Sequence, residues 1–412
     1  LAGSLEAQGY VLVTADQIRE VTGREPRLMA KFDTREYRPD TLKKADCTIL
    51  PVRNGQYVLV RGDGYSHLPD TPTVQGFESE AFQRLETLPA VCRSESQVID
   101  MAAASGMLAS FVGESDLALT IRGRLRALPF AFTFRGSASN PLRFQVDGVQ
   151  VEVDAGYEGE RVYLLEAKMG ARDDFIVRQL YYPYRMWLEE GVTKQIVLLF
   201  LTYSNQVFSL SEYRFRDPEE YSSIAHVRSR SYALDFGRGP PDLSTLVAAT
   251  HPDPEPAHIP FPQANDMRKV IDVIDAVGNG IRTKERITEY YEFAQRQSNY
   301  YGDAARYLGF LDAWPGGYVL TPAGEEFVAL PAGERLAMMA SAMLRRPVIR
   351  QGVEEMLVLG GVPPRNRIAA RIEAQRPDLH GTTLPRRAAT VTAWLQWLGR
   401  NLLQRDLFVE GG

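Results

Sequence analysis

Apolar and polar residues change their spacing repeatedly along the chain, and each change marks an element. Val149, Val151 and Val153 alternate with Gln150, Glu152 and Asp154, the period of a half-buried strand. A Gly-containing turn leads into Arg161-Val162-Tyr163-Leu164-Leu165-Glu166-Ala167-Lys168, an apolar run too short for a helix and broken by charge at its far end. Together they read as a hairpin over residues 150–170, with Asp154 where the first strand reaches the turn. Upstream, Thr14–Thr22 predicts a helix, and Cys47–Val52 and Gln56–Arg61 predict strands joined at Asn54-Gly55. Residues 93–113 carry an apolar stripe (Val98, Ile99, Ala102, Leu108, Phe111) behind Ser94 as cap, and predict one helix. Thr120–Phe134 reads as one or two strands interspersed with Arg122, Arg124 and Arg126. A helix kinked at Pro183 is expected over Asp173–Glu190, its dipole favoured by Asp173 and Asp174. Strands follow at Ile196–Tyr203 and Gln206–Phe215.

The prolines at 240, 241, 252, 254, 256, 260 and 262 predict an extended linker over 237–264. Beyond it the period is helical: Met267–Val277, Thr283–Ala294 and Ser298–Phe310, then a strand, turn and strand through Trp314–Leu320. Three helices and a small β-wing describe a winged helix. Arg296, Gln297, Asn299 and Tyr300 lie on or beside its third helix, the one suited to a DNA groove. Residues 331–412 repeat this plan as a second helical, winged-helix-like domain: Ala332–Leu344, Ile349–Leu359, Arg365–Gln375 and a last helix capped by Thr383, with Arg386 and Arg387 in its first turn. Such a module serves equally in helical packing or oligomerisation. The expected division is 1–90, 91–236, the linker 237–264, 265–330 and 331–412.

A length of 412 residues exceeds one core and fits two or three domains, and 44% hydrophobic with 24% charged residues is ordinary for globular chains. The two cysteines, Cys47 and Cys92, lack metal or redox spacing, and five scattered histidines argue against a histidine-rich metal site. A reduced, cytoplasmic setting is expected. No apolar run approaches the roughly 18 residues of a membrane span, so no membrane partner is expected. The net charge of −5 does not suggest nucleic acid, but residues 265–412 carry a small basic excess over an acidic remainder. The cluster Lys31, Arg35, Arg38, Lys43 and Lys44 is either a phosphate contact or a solvated face.

Residues two apart on a strand share a face, so Glu166 and Lys168 project together, and the hairpin brings Asp154 near them. Two carboxylates beside a lysine suit a hard divalent cation and an activated water. The same residues at a strand end also describe a solvated edge. Against that, Leu164 and Leu165 cover both faces of the strand, and buried charges need partners. Glu95 is either a charge at a helix N-terminus or a third acid for the site. Glu152 and Asp154 share a face, and either can be the first acid.

With Asp154 followed by Glu166-Ala167-Lys168, and with RQLYYPYRMW, IVLLFLTYSNQVFSLSEYRF and DPEEYSSI after them, the chain resembles the PD-(D/E)XK nuclease superfamily, and within it type II restriction endonucleases. SNYYGDAARYLGFL and LPRRAATVTAWLQWL resemble helix-turn-helix modules appended to such enzymes. The resemblance covers about residues 90–400, and departs from the motif in having Val153 before Asp154. It implies an α/β (α+β) restriction-endonuclease-like core with a mixed central sheet flanked by helices, followed by mostly α winged-helix modules. It implies Mg²⁺ held by Asp154, Glu166 and the Ala167 carbonyl, Lys168 orienting or deprotonating water, and Glu95 and Gln179 as further positioning residues. The implied activity is site-specific hydrolysis of double-stranded DNA to 5′-phosphate and 3′-hydroxyl ends in a bacterial or archaeal cell. A homodimer is implied, and a cognate DNA methyltransferase acting on the same site. A repair, resolvase or modification-dependent nuclease, and a DNA-binding regulator with an inactive nuclease domain, share these features.

Overall fold

All eight residues of the strand Val162–Met169 are buried, because strands flank it on both sides and elements cover both faces. The computed structural model describes residues 2–23, 32–70, 73–89, 91–137, 140–234, 237–293, 295–381 and 383–403; Lys31 and Ala294, part of the expectations above, lie outside them. Packing divides the chain into two units, Leu1–Tyr203 with Val207–Tyr232, and Ser204–Gln206 with Ala233–Gly412.

In the first unit, Val162–Met169 belongs to a seven-stranded mixed sheet. Its order is Val74–Gly76, Ile224–Ala233, Val207–Phe215, Ile196–Ser204, Val162–Met169, Gln150–Glu158 and Ala118–Arg126. The strand runs parallel to Ile196–Ser204 and antiparallel to Gln150–Glu158. A parallel neighbour requires a crossover, and the helix Arg178–Glu189 provides it, burying Leu180, Tyr181, Tyr182 and Met186.

The sequence expectation differs from the structure at four places here. The first strand of the hairpin runs on to Glu158, and the turn falls at Gly159–Arg161, so Asp154 lies within the strand. Gly156 is not a turn residue: a Cβ there would stand 2.7 Å from Ile121 Cβ, so glycine lets the edge strand close in. The 93–113 helix is two helices, Glu95–Ala104 and Met107–Val112, parted at Gly106 with φ +81°. Asp174 does not open a helix; Asp174–Ile176 pairs as a strand with Tyr65–His67, and the helix begins at Arg178 and continues through Pro183.

The first 90 residues, set apart in the sequence, share the core of the rest of this unit. Leu50, Val52, Val58 and Val60, from the sheet Tyr10–Thr14, Gln56–Arg61 and Cys47–Arg53, pack in one cluster with Phe130, Phe132, Tyr181 and Tyr221.

The second unit is mostly helical. Met267–Gly278, Lys284–Tyr291 and Gln295–Tyr307 precede the hairpin Leu311–Trp314 with Gly317–Leu320, which gains a bridge from Thr283 to Gly317. Gly302 on the third helix seats this hairpin, since a Cβ there would collide with the Tyr318 ring. Four helices follow Pro322–Ala329: Ala332–Leu344, Pro347–Leu359, Arg365–Gln375 and Thr383–Leu402. Among the described residues no strand follows Leu320, so the later helices carry no wing. The Thr383 hydroxyl donates to the His380 carbonyl. The proline-rich stretch is no simple extended linker. It holds the helix Leu243–Ala249, capped by Asp242, and buries Leu243, Leu246 and Phe261.

Candidate active site

The register places Leu165 opposite Ala155, and the next residues along the two strands are Glu166 and Asp154. Asp154 Oδ2 accepts the Ala167 N–H at 2.9 Å. Lys168 Nζ donates to Glu166 Oε1 at 2.6 Å, and Glu95 Oε1 stands 3.7 Å from the same ammonium. Glu95 arrives from the first turn of the helix Glu95–Ala104, whose cap Ser94 accepts the Gln97 N–H as expected. Glu166 and Lys168 are only 7% and 9% exposed, so each charge depends on the other groups for its stability.

The electrostatics follow from that burial. Burial pushes the Glu166 carboxyl well above the usual carboxylate range; Lys168 pulls it back while Asp154 and Glu95 push it further. Burial also raises Glu95, with Lys168 opposing and Asp154 and Asp33 adding. Burial works against the charge on Lys168, yet Glu166, Glu95, Asp33 and Asp154 overcome it and hold the ammonium protonated.

These groups line a cleft of about 160 Å³, with Gln179, Arg178, Tyr182, Gln150 and Glu152 on its walls. Gln179 is the second residue of its helix, and its Oε1 is buried without a hydrogen-bond partner among the described residues. Pro183 has no N–H to give the Gln179 carbonyl, so the helix ladder leaves that oxygen unclaimed as well. Glu152, the rival first acid, is exposed and lies 3.4 Å from Arg124 Nε. All five residues expected in the site, Asp154, Glu166, Lys168, Glu95 and Gln179, therefore line one cleft.

Asp33 also lines it, with Arg178 Nη2 4.0 Å from its carboxylate. Sequence reading missed Asp33, which lies over 100 residues from the hairpin with no local pattern to flag it. The basic cluster around it is engaged internally: Arg35 binds Asp63 and Asp174, and Arg38 donates to the Cys47 carbonyl. Those two arginines are thus held by partners within the first unit.

No group of three or more His, Cys, Asp or Glu side chains able to hold a metal is present among the described residues. Mg²⁺ does not need one, since it keeps several waters and binds through one or two carboxylates. The donor chemistry of Asp154 and Glu166 fits such a hard ion. Burial raises Glu95 and Glu166, the neighbouring carboxylates raise them further, and a divalent charge would relieve that surplus of negative charge.

The remaining candidates belong to the second unit. Arg296 is exposed on the helix Gln295–Tyr307, where Gln297 Oε1 and Asn299 Oδ1 are buried without hydrogen-bond partners among the described residues. Arg386 is exposed on the helix Thr383–Leu402. Arg387 Nη1 donates to Gln263 Oε1 at 3.0 Å. Burial holds the Arg387 guanidinium below its usual range; Tyr300 opposes this, while Arg376 and Arg386 add to it. Tyr300 and Arg387 are thus within electrostatic reach across two helices.

Three sequence families match, each described as a domain of unknown function: DUF6996 over residues 2–59, DUF6997 over 60–233 and DUF7226 over 269–402. The DUF6997 match contains Asp154, Glu166, Lys168, Glu95 and Gln179, and the DUF6996 match contains Asp33. No curated protein matches the chain, and no solved structure does. No helix among the described residues is long and apolar enough to cross a membrane.

Proposed function

We propose that this chain is a Mg²⁺-dependent endonuclease acting on double-stranded DNA at specific sites, with a restriction-endonuclease-like core in its first unit. The observation that carries this reading is the convergence of Asp154, Glu166 and Lys168 on adjoining strands at one cleft, with Lys168 Nζ 2.6 Å from Glu166. Asp154, Glu166 and the Ala167 carbonyl would hold the ion, which when bound supplies charge neutralisation at the phosphodiester oxygens. Lys168, kept protonated by its acids, is a poor base but a strong donor; it orients the attacking water and stabilises negative charge on the phosphate. Glu95, its carboxyl raised by burial, accepts the water's proton. The water oxygen bonds to phosphorus, the bond to the 3′ oxygen breaks, that oxygen takes a proton from solvent water, and 5′-phosphate and 3′-hydroxyl ends result. Gln179 Oε1 is available to accept from the same water.

Support for a winged-helix DNA reader comes from the order of three helices and a hairpin over residues 267–320, with the Thr283–Gly317 bridge as its third edge. Two active sites acting on a duplex favour a homodimer, and a methyltransferase protecting the same sequence would accompany such an enzyme. Incubation of plasmid DNA with the protein and Mg²⁺ tests the reading, with fragment ends sequenced. Discrete fragments sharing one sequence at their ends are expected; intact plasmid at every Mg²⁺ concentration defeats it.

A further inference from the structure

We propose that the outer edge strand of the seven-stranded sheet, Ala118–Arg126, grips the sugar-phosphate backbone of duplex DNA beside the cleft. The inference rests on the nuclease reading above and adds a binding surface to it. The strand ends the sheet, and all its residues but Ile121 are exposed or partly exposed. An open edge is usually guarded by charge, and here the charges sit on every second residue: Arg122, Arg124 and Arg126.

The register aims this row. Arg124 pairs with Glu152 and Arg126 with Gln150. Residues directly opposite on antiparallel strands share a face, and both Gln150 and Glu152 line the cleft. Arg124 and Arg126 therefore stand on the cleft side, about 7 Å apart along the strand. Arg122 is placed by a bulge. Ile121 pairs with Gly156 but Gly123 with Val153, so Arg122 alone faces Asp154 and Ala155. Gly123 has φ +101°, a conformation that side chains rarely adopt, although nothing crowds its Cβ position. Glycine is there for the backbone, and bulges beside active sites re-aim side chains.

The partners of these arginines are exchangeable. Arg122 Nη2 donates to Asp100 at 2.8 Å and Arg124 Nε lies 3.4 Å from Glu152, both pairs being about half exposed. Such pairs are worth about 1 kcal/mol or less, and among the described residues Arg126 makes no ion pair. A phosphate offers the guanidinium fork a better fit. Contacts of this kind carry no base information, so they set affinity and register, not sequence choice.

The test compares wild type with Arg124→Gln/Arg126→Gln, Arg124→Lys/Arg126→Lys and the exposed Arg84→Gln as control. Plasmid cutting is assayed in Mg²⁺. Binding to a labelled duplex is measured by anisotropy in Ca²⁺ from 50 to 200 mM salt. The glutamine pair should lower affinity for related and unrelated duplexes alike, and flatten the slope of log K against log salt by about two, one per lost phosphate contact. The lysine pair should keep the slope, and Arg84→Gln should match wild type. An unchanged slope in a glutamine pair that melts like wild type overturns the edge-strand assignment while the cutting assay leaves the nuclease reading standing. Wild type that neither cuts nor binds overturns both. If the glutamine pair fails to fold, Arg124→Gln and Arg126→Gln are measured singly, each expected to flatten the slope by about one; single variants that melt and bind with the wild-type slope overturn the assignment.

Discussion

Asp154 Oδ2 accepts the N–H of Ala167, the amide between the two charged residues Glu166 and Lys168, at 2.9 Å. One carboxylate oxygen is thus tied to the neighbouring strand. Glu152, two residues earlier, has no such tie and leans to Arg124 at the sheet edge. Asp154→Asn should reduce Mg²⁺-dependent cleavage at least about 100-fold, the scale of one charged group at a transition state, while Glu152→Gln stays within a few-fold. Rates for both variants on one plasmid decide it; the reverse ranking would make Glu152 the working acid.

Lys168→Ala should abolish cutting while duplex binding in Ca²⁺ persists, because the residue acts at the cleft and not on the wider surface. It should also lower the melting temperature in metal-free buffer near neutral pH, since Glu166 loses its 2.6 Å cation among other acids. Cleavage at the wild-type rate would remove Lys168 from the chemistry.

Gln179 combines a buried, unpartnered Oε1 with a place on the cleft wall. Native side chains seldom leave such an atom unsatisfied without a use. Gln179→Ala should therefore slow turnover about 10-fold with KM little changed and no loss of thermal stability. A stability loss without a rate change would mean that the residue only packs.

Glu114 clamps the start of the lysine strand. It accepts from the Tyr163 hydroxyl at 2.6 Å, from Arg161 Nε at 2.7 Å and from the Glu160 N–H at 3.0 Å. The Tyr163 hydrogen bond, then Arg161 and the Glu160 amide, hold its carboxyl below the usual range against the opposing effect of burial. A depressed folded-state pKa gives stability that is present above the unfolded value, about 4.3, and lost as pH falls through the folded one. Wild type should therefore be more stable than Glu114→Gln at pH 7, and the gap should close in acid. Urea melts of both proteins from pH 7 to 3 check this; a pH-independent gap refutes the linkage.

In the second unit, Arg335 is fully buried, and its Nη1 donates to Asp275 Oδ1 at 2.8 Å while Nε and Nη2 donate to the Leu330 and Val328 carbonyls. Asp275→Asn leaves that guanidinium without its counter-charge and should cost about 3–5 kcal/mol. Denaturant unfolding followed by Trp394 fluorescence would report it, because that ring is buried in the same unit. A change below about 1 kcal/mol would show the pair to be dispensable.

The hairpin acids and lysine were legible because period-2 alternation is local: it needs only neighbours, and it placed Glu166 and Lys168 on one face. A place beside the turn, close to Glu166, favoured Asp154 over Glu152, but Asp154 lies within the strand. Its position depends on register and on Gly156, which reads as a turn residue until the close approach of Ile121 is seen. Asp33 was invisible because its role depends on a long-range chain path, including the Ile176 N–H donating to its carbonyl at 2.9 Å. The proline count in 237–264 concealed Leu243–Ala249, since composition averages over the apolar LSTLVAA segment. Helix ends in 267–402 were more readable, as caps such as Thr283, which accepts the Arg286 N–H, are again local.

The sharing of one interior by residues on both sides of position 60 has a consequence for how the chain can be dissected. Val52 and Val58 lie in one matched family, Phe132 and Tyr181 in another, yet their side chains occupy the same cluster. Neither stretch is a self-sufficient module: expressed separately, each would present a raw apolar surface and aggregate, while mixing the two before collapse should restore a soluble pair. In this chain the two matched stretches are complementary pieces of a single folding unit.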